Sequence, residues 1–214
     1  TRAGRLPLPP FDDVWVEQLN AKLAAPLERY RDLLAEYSLP VPNQRIRVET
    51  DGLLLEDTLS GLRLDAAGNR LRLTLLASEL LKKKELKWYH LVRHWPGHLA
   101  AQFDAPTTTC LVGPGSEVRL APLEREQAEA ILDALMEGFV KGLTELSPLA
   151  CKTAFAWMAE ADGIKGVKAA HCYDGGYNYT GECEDHPGYR RFWPDYAALS
   201  ADERRAEAAF RLGN

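Results

Sequence analysis

Leu59-Ser-Gly-Leu-Arg-Leu-Asp-Ala-Ala-Gly-Asn-Arg-Leu-Arg-Leu-Thr-Leu-Leu76 alternates apolar and polar residues on both sides of an Asp65-Ala-Ala-Gly-Asn69 turn. Successive strand side chains point to opposite faces, so each arm shows its leucines to one side, and the Asp, Gly and Asn of the turn suit a tight reversal. The stretch predicts a β-hairpin at the centre of a sheet. Upstream, Arg45-Ile-Arg-Val-Glu49 and Leu53 to Leu55 continue the strand pattern. Arg45, Arg47, Arg70 and Arg72 are expected to project from one face of that sheet, where they can meet acids on a covering helix. Before the strands, Val16, Leu19, Leu23, Leu27, Tyr30, Leu33 and Leu34 recur mostly at three- or four-residue steps between Pro10 and Tyr37. That spacing is one face of a long amphipathic helix, and Pro40 and Pro42 end it. After the hairpin, Ser78-Glu-Leu-Leu81 is expected to open a helix running to about Trp95, with Pro96-Gly97 closing it.

The second half reads as mainly helical. Thr107 to Val112 and Glu117 to Leu120 are short strands around Gly113-Pro-Gly115. Pro122 suits the first turn of a long helix with Ile131, Leu135, Phe139 and Leu143 on one side. A further helix is expected from about Pro148 to Ala161, a short one near Val167, and a last one from Ala201 to Leu212, beyond an irregular stretch marked by Gly175, Gly176, Gly181 and Pro187. The fold class is α/β (α+β): a core over residues 1–121, then a helical part of the same domain over residues 122–214.

Composition narrows the function classes. With 214 residues and 46% hydrophobic content the chain can build a real core. No apolar run approaches the roughly 20 residues that cross a bilayer. The start, Thr1-Arg-Ala-Gly-Arg-Leu-Pro7, has neither an initiator Met nor a signal-peptide apolar region and reads as the interior of a longer polypeptide. Cys110, Cys151, Cys172 and Cys183 lack paired spacing, which favours reduced thiols and a cytoplasmic setting. A net charge of −5 argues against a stand-alone nucleic-acid module, because phosphate neutralisation dominates such binding. Any DNA contact must therefore be local. Lys82, Lys83, Lys84 and Lys87 are the candidates for it, with Lys83 and Lys87 on one helix face.

Other constellations invite a chemical reading. His90 and His94 are four apart, as zinc ligands on a helix would be, but Pro96-Gly97 interrupts before His98 and no Glu follows His90. His171, Cys172, Cys183 and His186 offer four zinc-type ligands in a Gly-rich stretch without finger or ribbon spacing. No metal and no cofactor is assigned. Cys151 with His171 lacks a nucleophile signature, and Cys151 sits in the apolar run Leu149 to Met158. Scattered cysteines argue against an iron–sulfur cluster, and no Gly-x-x-x-x-Gly-Lys-Ser/Thr loop is present for a nucleotide. Tyr189, Arg190, Arg191, Phe192 and Trp193 combine cation and aromatic surface and are the interface candidates.

Leu135-Met-Glu-Gly-Phe-Val-Lys-Gly-Leu-Thr-Glu-Leu-Ser-Pro-Leu-Ala-Cys-Lys-Thr-Ala-Phe-Ala-Trp157, then Ala170-His-Cys-Tyr-Asp-Gly175, then Tyr189-Arg-Arg-Phe-Trp193, resembles the C-terminal end of the RecC family. RecC is a subunit of exodeoxyribonuclease V, the RecBCD helicase–nuclease that processes DNA ends. The resemblance extends weakly to the hairpin and to Trp88-Tyr-His-Leu-Val92. It implies a relative of the PD-(D/E)XK nuclease core, ordered helix, antiparallel strands, helix. Such a nuclease holds a divalent cation with acids at a strand end and has a Lys two residues later. Leu75 stands where the acid would be and Ala77 where the Lys would be, which implies a nuclease framework without its chemistry and without catalytic residues. Glu49, Asp51, Glu56, Asp57 and Glu79 leave open an active magnesium nuclease with displaced carboxylates, and the His/Cys set leaves open a zinc-stabilised interaction domain. By resemblance the partners are the RecB and RecD subunits and DNA, as a duplex end and as separated strands. Recognition of Chi lies in an upstream part of RecC.

Overall fold

The computed structural model describes residues 11–50, 52–82, 85–160 and 166–202. In chain order, helix α1 (Phe11–Glu36) precedes strands β1 (Leu39–Pro40), β2 (Gln44–Thr50), β3 (Leu53–Leu59), β4 (Leu62–Leu64) and β5 (Arg70–Leu75). A short ribbon, β6 (Leu81–Lys82) and β7 (Glu85–Leu86), leads to α2 (Trp88–Leu91), a 3₁₀ turn over Val92–His94, and α3 (Trp95–Ala101). Strands β8 (Thr107–Gly113) and β9 (Ser116–Leu120) follow, then helix α4 (Arg125–Thr144). The remainder is α5 (Cys151–Met158), α6 (Val167–Asp174), a hairpin of β10 (Gly175–Gly176) and β11 (Tyr179–Thr180), α7 (Glu182–Asp185), α8 (Pro187–Phe192) and α9 (Tyr196–Ala201).

The chain divides into two compact units. One holds residues 1–47, 56–87 and 97–128; the other holds 48–55, 88–96 and 129–214. The first contains a five-stranded mixed sheet in the order β1-β4-β5-β8-β9, in which only β5 and β8 run parallel. The hairpin expected from residues 59–76 is present as β4 and β5, with Leu62 opposite Arg72 and Leu64 opposite Arg70. Its turn is held by Asp65, whose carboxylate accepts from the Ala67 and Asn69 backbone N–H groups and from the Asn69 amide. A parallel step from β5 to β8 requires a crossover, and the segment from 76 to 106 supplies it.

The two faces of β5 have opposite character because side chains alternate along the strand. Leu71, Leu73 and Leu75, with Cys110 and Val112 of β8, pack on Leu33, Leu34, Tyr30 and Tyr37 of α1. This is the apolar core of the sheet. The reverse face carries Arg70 and Arg72 beside Thr107 and Thr109 in the β5–β8 register, and α3 brings His98 and Gln102 to it. Gln102 behaves there as a piece of backbone. Its amide nitrogen donates to the carbonyls of His98 and Thr107 at 2.9 Å each, and its oxygen accepts the Thr107 N–H at 2.9 Å. Buried polar groups are tolerated when so paired. Arg70 is bound by Asp104 at 2.5 Å and by Gln44 at 3.2 Å.

His98 is fully buried, with Nδ1 2.9 Å from the Thr109 hydroxyl. Burial, reinforced by the nearby Arg72 charge and only opposed by the Ala121 backbone, holds its imidazole down at about 4. An unfolded chain takes up the proton near the ordinary value of 6.5, so the folded state binds fewer protons throughout the interval between the two. Stability contributed by neutral His98 is therefore complete above about 6.5 and is lost as pH falls towards about 4, by about 3 kcal/mol in all. Urea melts of the chain and of His98→Gln across that interval are expected to show a steeper acid loss for the parent chain. Parallel curves would refute the assignment.

Several sequence expectations are corrected. The described residues between 78 and 87 form no helix. Leu81 pairs across a ribbon with Leu86, and Lys82 with Glu85. Pro96 does not end a helix but lies in the first turn of α3, where its missing N–H is harmless. Helix α4 starts at Arg125 rather than at Pro122, and its fully buried positions are Ala128, Leu132 and Met136, while Phe139 and Leu143 are exposed at 59% and 68%. Helix α1 has the expected extent, yet Val16 and Leu19 on the expected apolar face are exposed. A helix of 26 residues is about 39 Å long, whereas a six-residue strand spans about 20 Å, so the first turns of α1 overhang the sheet. The last described helix is Tyr196–Ala201, capped by Asp195, and most of the expected 201–212 helix lies outside the described residues.

Candidate functional site

Leu75 and Ala77, the positions that the resemblance sets against a nuclease's acid and lysine, lie at and just past the end of β5. Leu75 is the last residue of that strand and packs, half-buried, against the α1-facing cluster. The Leu76 N–H then continues the ladder to the Val112 carbonyl at 2.7 Å, and Ala77 is exposed at a bend. Neither side chain can ligate a metal or move a proton. The nearby carboxylates have other partners: Glu56 pairs with Arg45, Glu79 lies 3.6 Å from the Lys87 ammonium, and Asp57 accepts the Thr58 N–H at 2.7 Å. Glu49 is exposed on β2, and Asp51 lies outside the described residues. Among the described residues no three His, Cys, Asp or Glu side chains come together to hold a metal ion.

The expected basic surface is also redistributed. Lys83 and Lys84 lie outside the described residues, Lys82 is on β6, and Lys87 follows β7, so Lys83 and Lys87 do not share a helix face. The Lys87 side chain is only 17% exposed and faces Glu79. Arg45 and Arg47 belong to the separate two-stranded ribbon of β2 and β3, whereas Arg70 and Arg72 lie on the sheet beneath α3. The four arginines therefore do not form one basic face. Burial lowers the pKa of Arg72 from its ordinary value, only partly offset by Asp57, and its Nε and Nη1 are sequestered from solvent without a hydrogen bond.

In the second unit the interface candidates split in two. Trp193 is 5% exposed and sits in a cluster with Ala150, Tyr173, Cys183 and Leu199, against which Tyr189 packs. Its indole N–H donates to Asp202 at 3.1 Å and its carbonyl accepts from the Tyr173 hydroxyl at 2.7 Å. The Tyr189 hydroxyl donates to the Leu149 carbonyl at 2.7 Å. These two aromatics are structural. Arg190, Arg191 and Phe192 remain on the surface, with Arg190 in a loose 3.9 Å pair with Glu184. The zinc-type set does not converge either: Cys183 is in the core cluster, His171 is exposed, and the His186 ring meets Tyr189 edge-on. All four cysteines are free thiols. Burial pushes Cys110 and Cys151 up to about 11 and raises Cys172 and Cys183 as well, which removes thiolate character.

Two carboxylates that carry structure gave no signal in the sequence. Glu182 is 4% exposed and accepts the backbone N–H groups of Lys152 at 3.0 Å and Thr153 at 2.8 Å, plus the Thr153 hydroxyl at 2.9 Å. It thereby caps the first turn of α5, whose own N-cap, Ala150, has no side-chain acceptor. Glu160 does the same for α6, accepting from Gly166 at 2.6 Å and from Lys168. A negative group at a helix start is favoured by the aligned peptide dipoles. The segment Glu182-Cys-Glu-Asp185, which reads as a solvated acidic turn, thus hides a buried cap. Among the described residues no helix is long and apolar enough to cross a membrane.

A five-stranded mixed sheet packed by a helix in one unit, and helices held by buried acidic caps in the other, define an α/β protein. The chain belongs to the RecC C-terminal domain family, whose model matches residues 1–162. That family is the one the sequence resembles, and membership in it suggests a role in the RecBCD assembly. No curated protein matches the chain.

Proposed function

We propose that this chain is a non-catalytic, nuclease-like domain of RecC, a scaffold that docks the RecB and RecD motor subunits and helps guide split DNA strands in double-strand break repair. The observation that carries the reading is Leu75, a side chain of the apolar cluster at the strand end where the related nucleases need a metal-holding acid. The order of α1, antiparallel strands, helix α3 and a parallel β8 supports kinship with the PD-(D/E)XK core. Free cysteines with raised pKa values support a reducing, cytoplasmic setting. The acidic balance supports a role in which DNA contact is secondary to protein contact.

The test is capture of the purified chain by separate RecB and RecD subunits, with the salt dependence of DNA binding measured on the same preparation. Retention by at least one subunit is expected, together with weak DNA binding that fades as salt rises. Capture by neither would remove the docking role. In a parallel assay with linear DNA and magnesium, the chain is expected to degrade no more DNA than an EDTA control, and Glu79→Ala is expected to change nothing. Magnesium-dependent cleavage would show a working site built from displaced carboxylates.

A further inference from the structure

We draw no further inference here: the strongest candidate, the exposed apolar stripe of Phe139, Val140 and Leu143 on helix α4, carries nothing because nothing in the structure shows what covers it.

Discussion

Glu182→Ala is expected to destabilise the chain by about 3 kcal/mol, read as a fall in Tm of about 6 to 12 °C. Glu182 satisfies two backbone donors and one hydroxyl at the start of α5 from a position that is 4% exposed. Alanine leaves those donors buried without an acceptor, and hydrogen bonds to a charged group are the strong ones. The loss exceeds that of an ordinary surface cap because water has little access to replace the carboxylate. Glu182→Gln keeps one acceptor oxygen but turns an amide group towards N–H donors, so it is expected to fall between the two. A melt of Glu182→Ala superimposable on that of the parent chain would show that α5 does not depend on this cap.

Leu71→Ala is expected to cost about 3 kcal/mol, in the range for a fully enclosed leucine, and to lower the urea midpoint without changing the slope of the transition. Leu71 is 0% exposed and belongs to the cluster formed by α1 with β5 and β8. Three elements converge on it, so the space left by its side chain cannot close by the shift of one loop. By contrast, Val16→Ala, on the exposed part of α1, is expected to change stability by less than about 0.5 kcal/mol. The pair tests where along α1 the sheet stops supporting the helix. Equal effects at both positions would mean that α1 is covered along its whole length.

Much of the sheet was legible in residue order. Alternation in residues 59–76 and the Asp65–Asn69 turn specify β4 and β5, and the two strands around Gly113-Pro-Gly115 appear as β8 and β9. Helices were less securely read. Leu80, Leu81 and Leu86 fit a helical stripe and a ribbon equally, and only the pairing of Leu81 with Leu86 and Lys82 with Glu85 distinguishes them. The apolar stripes of α1 and α4 were visible as stripes, but not where burial along them stops, because coverage depends on the length of the neighbour. Trp193 reads as interface surface in isolation, since an aromatic beside two arginines has the same composition whether it turns outward or inward. Its place in the core follows from Tyr173, twenty residues away.

By itself the chain of residues determined a mixed α/β protein, its central hairpin, its family and the apolar character of Leu75, because each of these is expressed by near neighbours and by the period of a strand or a turn. Only the tertiary structure decided that Glu182 caps a helix 29 positions away and that Arg70 and Arg72 lie on a different sheet from Arg45 and Arg47. Hydrogen bonding and steric closure act between groups brought together from distant positions. No local pattern records which distant partner a side chain meets.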